Sequence, residues 1–214
     1  MILKKIKATK PKRKGMHVSD LLRYISKKDA EAVDDYRVGL VGAHGFLTST
    51  LDGRIAEMTA LAMECVKSKN PINHYVLSWR EGESPDEQQV NEAVDLFLGE
   101  LGLLGCQAVF AVHKDTRNVH LHLVVNKVDP ETNKVRIINN HFDIDAGHKA
   151  IARIEHVQGW KPEAGARYQV ENGLVVDVVK PTETPGLPPG AEQGEVRSGE
   201  ISWTSLVKER VGSI

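Results

Sequence analysis

The chain has little that could brace it covalently: of its 214 residues only Cys65 and Cys106 are cysteines, and both sit among apolar neighbours. That offers no disulfide framework, and the two thiols read as reduced core residues of a cytoplasmic protein. Long apolar runs are missing as well, as is a secretory signal, so no membrane partner is expected. Charge of one sign is not in excess: 28 Lys and Arg stand against 29 Asp and Glu. The overall balance therefore says nothing about nucleic acid. Its distribution does. Lys4, Lys5, Lys7, Lys10, Lys12, Arg13 and Lys14 crowd the amino terminus with no acid between them, an arm able to track phosphates or simply to stay solvated.

What is present is a regular alternation of strand and helix signals. Residues 1–6 suit a first strand, and Val18-Ser19 a staple and N-cap for a helix through Leu21, Leu22 and Ile25. Residues 37–47 are strand-like but glycine-rich, 51–67 carry helical periodicity through Ile55, Met58, Leu61 and Cys65, and 72–79 alternate as a strand. Ser84-Pro85-Asp86-Glu87 fits a capping box that opens a helix through Val90, Val94, Phe97 and Leu101. Two β-prone runs follow, and then a helix over 143–157. The expected fold class is α/β (α+β): a central antiparallel sheet with helices on one side and the active site on the other face. The expected organisation is a domain over 1–179, a Pro/Gly-rich linker over 180–200, and over 201–214 the start of a further helical segment of a longer chain.

The chemistry concentrates in His113-Lys114-Asp115-Thr116-Arg117-Asn118-Val119-His120-Leu121-His122-Leu123-Val124-Val125-Asn126. If Arg117-Asn118 is a two-residue hairpin loop, Asp115 opposes His120 and His113 opposes His122. Side-chain alternation then puts His113, Asp115, His120 and His122 on one face, followed by Asn126, while Leu121, Leu123 and Val125 form an apolar face. A longer loop leaves the His-x-His pair intact. Three large polar rings on one face need partners, and three neutral imidazoles can hold one divalent cation with positions open for substrate. All-nitrogen ligation suits zinc, manganese, nickel or cobalt, and magnesium less naturally. Asp115 is placed to orient one imidazole through its other ring nitrogen.

A metal clamp needs a nucleophile, either metal-bound water or a side chain. Tyr24, beside Arg23 on the early helix, and Tyr36, in an acidic loop-like stretch, are the candidate side chains, whereas Tyr75 shares a strand face with Leu77 and Trp79 and suits the core. His74, Ser68 and Ser78 are further polar candidates, and His141, His148 and His156 suit surface or capping positions.

The hairpin, together with Asn73-His74-Tyr75-Val76-Leu77-Ser78-Trp79 and Arg23-Tyr24-Ile25, resembles the relaxase domain of conjugative mobilization nucleases, MOBP-like within the HUH endonucleases. The family's third motif is matched without a gap by His113, Asp115, His120, His122 and Asn126, and Gly159-Trp160-Lys161-Pro162 resembles its continuation. The resemblance implies a DNA relaxase that nicks single-stranded DNA at a plasmid origin of transfer. Tyr24 would attack a backbone phosphate and leave a 5′-phosphotyrosyl link, with Tyr36 as the alternative nucleophile. His113, His120 and His122 would hold one divalent ion (Mg, Mn or Zn), and Asp115 would orient a histidine and help take the phenolic proton. Lys10, Lys12, Arg13, Lys14, Arg23 and Asn126 are the expected DNA contacts. Accessory relaxosome proteins and a type IV secretion coupling protein are the implied partners, in a bacterial cytoplasm from which the protein can travel with the DNA. The rival readings are a rolling-circle replication initiator or transposase of the same superfamily, and a metal-dependent hydrolase without a covalent intermediate.

Overall fold

A computed structural model describes residues 1–6, 14–26, 38–65, 68, 71–139 and 142–178, with side chains from residue 17 in the second segment. The elements are β1 (Ile2–Ile6), α1 (Lys14–Ser26), β2 (Val38–His44), α2 (Leu51–Glu64), β3 (Ile72–Ser78), α3 (Glu87–Glu100), β4 (Ala108–His113), β5 (His120–Asn126), α4 (Asp143–Gln158), β6 (Tyr168–Glu171) and β7 (Leu174–Asp177). Five of the strands form an antiparallel sheet in the order β1-β3-β5-β4-β2. The linker and terminal helix expected over 180–200 and 201–214 lie outside the described residues.

Alternation decides how this sheet is covered. One face carries Tyr75, Leu77, Phe110, Val112, Leu121, Leu123 and Val125, all buried against Val94, Phe97 and Leu98 of α3 and Ala150, Ile151 and Ile154 of α4. This is the expected helical side, with the histidines on the opposite face. The site's own face is also partly roofed: Val18, Leu22 and Ile25 of α1 and Met58 and Ala62 of α2 pack on Val38, Val109, Ala111 and Val124. Helices α1 and α2 thus flank the site.

Two helix starts differ from expectation. Helix α1 begins at Lys14, so Ser19 lies inside it rather than at its cap. Val18 is fully buried and shares a stripe with Leu22 and Ile25, so packing carries the helix past the local cap signal. In α3 the capping box is Asp86 with Gln89, not Ser84 with Glu87: Asp86 Oδ1 accepts from Gln89 N at 2.8 Å and Gln89 Oε1 from Asp86 N at 3.0 Å. Both pairs satisfy the same four-residue pattern, and the second leaves Pro85 outside the helix. The glycines of β2 have a steric cause at Gly42, where a Cβ would come within 2.1 Å of the Phe110 ring on its partner strand. An added hairpin, β6–β7, turns at Asn172 and Gly173, both with positive φ.

Leu121→Asp would place a charge at a position with no solvent exposure, in the middle of the apolar face. Burying an unpaired carboxylate costs several kcal/mol, comparable with the whole stability of a domain. The expected outcome is loss of the cooperative thermal transition, read by circular dichroism.

Candidate active site

The site is built on β5, the middle strand, which sends His120 and His122 to one face while Leu121 and Leu123 anchor the other. On β4, His113 pairs with His120 and Ala111 with His122. The expected register, His113 opposite His122, is therefore displaced by two residues, and 114–119 form the loop in place of Arg117-Asn118 alone. A displacement of two preserves side-chain parity, so all three imidazoles still share a face. The longer loop has its own ties. Thr116 Oγ1 donates to Asn118 O at 2.8 Å, Asn118 Nδ2 donates to Trp79 O at 2.8 Å, and Trp79 N donates to Val119 O at 2.9 Å. Asp115 belongs to this loop and not to a strand.

One ring nitrogen each from His113, His120 and His122 lies within 4.8 Å of the other two. Their rings are 4.4 Å (His113–His122), 5.1 Å (His120–His122) and 5.5 Å (His113–His120) apart between centroids. His113 and His122 are buried and His120 stands at the rim. Each ring is held by a partner that helps define its tautomer. His113 Nε2–H donates to Ile25 O at 2.8 Å, which makes Nδ1 its lone-pair nitrogen. His120 Nδ1–H donates to Asn118 O at 3.2 Å, which makes Nε2 the lone-pair nitrogen. His122 Nδ1 meets His74 Nε2 at 2.9 Å. Three nitrogen donors on an otherwise buried floor, two with lone pairs set by backbone carbonyls, fit a divalent cation, so His113, His120 and His122 could hold one.

Asp115 Oδ1 is 3.6 Å from His120 Nε2. That is beyond hydrogen-bond length and on the nitrogen that would ligate, whereas the orienting contact expected of Asp115 at the far nitrogen is made by the Asn118 carbonyl. Burial pushes the His74 imidazole down to about 4, with the charges of His17 and His113 pushing the same way. His74 is therefore neutral at physiological pH. His17, on α1, is thus part of the surroundings of the cluster. Nothing in its local sequence pointed there, because the electrostatic influence passes between residues far apart in the chain.

Tyr24 is the distant residue that the fold delivers. Its ring stands edge-on over His122, with centroids 5.8 Å apart and planes at 84°, and the side chain is half-exposed. It precedes Ile25, whose carbonyl lies in the last turn of α1 and accepts the hydrogen bond from His113 Nε2. The negative end of the helix dipole thus faces the three-histidine cluster, which favours a cation there.

The remaining candidates divide sharply. Tyr36, His141, Lys10, Lys12 and Arg13 lie outside the described residues, as does the side chain of Lys14. Arg23 is exposed and its guanidinium donates to Asp52 Oδ1 at 2.6 Å, tying α1 to α2. Asn126 has no solvent exposure: its Nδ2 reaches Met58 O and Gln107 Oε1, and its Oδ1 accepts from Val128 N. A DNA contact by Asn126 is incompatible with that burial, and its role is to hold β5 to α2. Tyr75 is core, with its hydroxyl donating to Asp143 Oδ2 at 3.0 Å. Ser78 pairs with His120 across β3 and β5 and so lies on the site's face, whereas Ser68 follows α2 and lines a cavity with Glu64 and Lys134.

Residues 24–160 match the family model described as relaxase, MobA/VirD2-like, nuclease domain. The chain belongs to this relaxase family. The match opens on Tyr24 and closes on Trp160, and so takes in the whole histidine hairpin. Among its relatives is Protein MobA of Acidithiobacillus ferrooxidans, 55% identical over 157 residues, which cover 71% of this chain and 38% of that protein. Two Escherichia coli proteins named TraI are 30% and 31% identical over 55% and 51% of the chain, and over 16% and 14% of their own lengths. The chain thus spans well under half the length of these relatives. Among the described residues no helix is long and apolar enough to cross a membrane.

In this relaxase domain, His120→Ala and His122→Ala should each weaken binding of Mn²⁺ or Zn²⁺ by at least about tenfold, read by isothermal titration. Far-UV circular dichroism should stay unchanged, because both side chains point away from Leu121 and Leu123. Either variant binding the ion as the wild type does would dissolve the three-histidine site.

Proposed function

We propose that this domain nicks single-stranded DNA at a plasmid origin of transfer by tyrosine transesterification, as the DNA-processing unit of conjugative transfer. The observation that carries the reading is Tyr24 standing over His122, next to a cluster of three imidazoles, in a chain of the relaxase family. Membership of the relaxase family supports this reading over a rolling-circle initiator or a transposase.

Tyr24 Oη forms a bond to the scissile phosphorus while the bond from phosphorus to the 3′-oxygen breaks. The phenolic proton passes to Asp115, whose carboxylate stands at the rim of the cluster beside His120. The departing oxygen takes up a proton and becomes a free 3′-hydroxyl, and the 5′ side stays attached to Tyr24 as a phosphodiester. One ester replaces another, so the same site can rejoin the strand without ATP. His113, His120 and His122 would hold a divalent ion, which would supply polarisation of the phosphate and counter-charge to the charge it gathers. Three nitrogen ligands suit manganese or zinc better than magnesium. The buried floor beneath His113 and His122 excludes water from one side of the phosphate, while exposure of Tyr24 leaves the approach open to a strand. Lys10, Lys12, Arg13, Lys14 and Arg23 contribute phosphate contacts, Arg23 while also engaging Asp52. The accessory relaxosome proteins and the secretion coupling protein belong to the same proposal, as does a cytoplasmic location.

Tyr24→Phe should abolish nicking and covalent attachment while retaining metal and origin-DNA binding. Because the ring is half-exposed, the change should shift stability by less than about 0.5 kcal/mol. Denaturing electrophoresis of protein with origin oligonucleotide and Mn²⁺ reads the adduct, and peptide mapping locates it. An adduct on Tyr36 would reassign the nucleophile, and a nick without an adduct would replace transesterification by metal-water hydrolysis.

A further inference from the structure

His74 is a buried imidazole with no part in the proposed reaction. A ring nitrogen in such a place is costly unless hydrogen-bonded. The other buried polar side chains on the sheet are otherwise accounted for: Asn73 donates to Tyr75 Oη at 2.7 Å, Asn126 and Gln107 hold each other, and His113 and His122 belong to the cluster. His74 spends its Nε2 on Nδ1 of His122, at 2.9 Å, with the two rings tilted by 31°. The register explains the meeting. His74 pairs with Val124 and His122 with Val76, so the two histidines are diagonal neighbours on one face of β3 and β5, a separation that long side chains bridge.

We infer that His74 is a positioning residue for the cation site: it accepts the Nδ1 proton of His122 and so fixes Nε2 of His122 as the lone-pair nitrogen. This rests on the proposed function, in which His122 is a ligand. The direction of the hydrogen bond follows from that role. Were His122 to accept at Nδ1, its Nε2 would carry the proton and could not ligate. A ligating imidazole needs a partner at its far nitrogen to hold ring orientation and raise basicity, and removal of such partners weakens metal binding by about 10- to 100-fold. His113 and His120 find theirs in backbone carbonyls, Ile25 O and Asn118 O, which no substitution deletes. His122 lies on the middle strand with neighbours on both sides, and its partner is a side chain buried with it.

The test uses the full chain with Mn²⁺ and Zn²⁺. His74→Ala should weaken binding by about 10- to 100-fold in isothermal titration, with a cooperative melt retained. His74→Gln, whose side-chain oxygen reaches near the lost Nε2, should recover most of the affinity. In the zinc-loaded wild type, ¹⁵N NMR of the histidine rings should place the His122 proton on Nδ1. If His74→Ala fails to fold, the glutamine variant and the tautomer carry the test. Wild-type affinity in His74→Ala, or a zinc-loaded His122 protonated on Nε2, overturns the assignment while a metal-binding, nicking wild type leaves the proposed function standing. A wild-type protein that takes up neither ion overturns both.

Discussion

Everything at the site depends on the burial of one face of β5. Leu121, Leu123 and Val125 are driven against α3 and α4 by the gain from removing apolar surface from water, on the order of 2 kcal/mol for each large side chain. Because alternate residues of a strand point to opposite faces, that burial obliges His120 and His122 to project the other way. No interaction among the imidazoles is needed to aim them. The apolar face does it, and the flanking strands β3 and β4 add His74 and His113 on the same side.

Projection alone leaves each ring free to rotate, and rotation is stopped by hydrogen bonds from three separate elements. The last turn of α1 holds His113, the loop before β5 holds His120, and β3 holds His122. The first of these also couples the site to Tyr24, the proposed nucleophile. Tyr24 and Ile25 are adjacent, so the hydrogen bond that holds His113 also ties down the helical turn that carries the phenol ring. Packing of Val18, Leu22 and Ile25 on the sheet's second face holds that turn against the sheet. Opposing charge density at the end of α1 assists a cation without adding a carboxylate to the inner surface.

Much of this was legible in the residues. Alternation at 72–79 and 119–126, with β-prone runs elsewhere, located the five sheet strands, and the spacing of His113, His120 and His122 survived a two-residue change of register because parity, not pairing, decides the face. What failed was local detail. Two capping patterns competed at 84–89 with equal merit, and Ser19 looked like a cap because the burial of Val18 is invisible locally. Asn126 sits on the face of the histidines but beneath α2, so its polar character served packing and not recognition. Its burial depends on a helix more than sixty residues earlier.

By itself the sequence determined the chemistry on offer: three imidazoles of one parity beside a β-strand core, and a tyrosine on an amphipathic helix. These are properties of period two and of helical spacing, which short stretches of chain carry in full. Only the tertiary structure decided that Tyr24 stands over His122, that Ile25 O and Asn118 O hold the outer rings, and that His74 lies under His122. Each of these is a contact between elements distant in the chain or across a loop of unforeseen length. Such contacts follow from how whole helices settle on the sheet, a balance of summed burial against conformational entropy that no local pattern encodes.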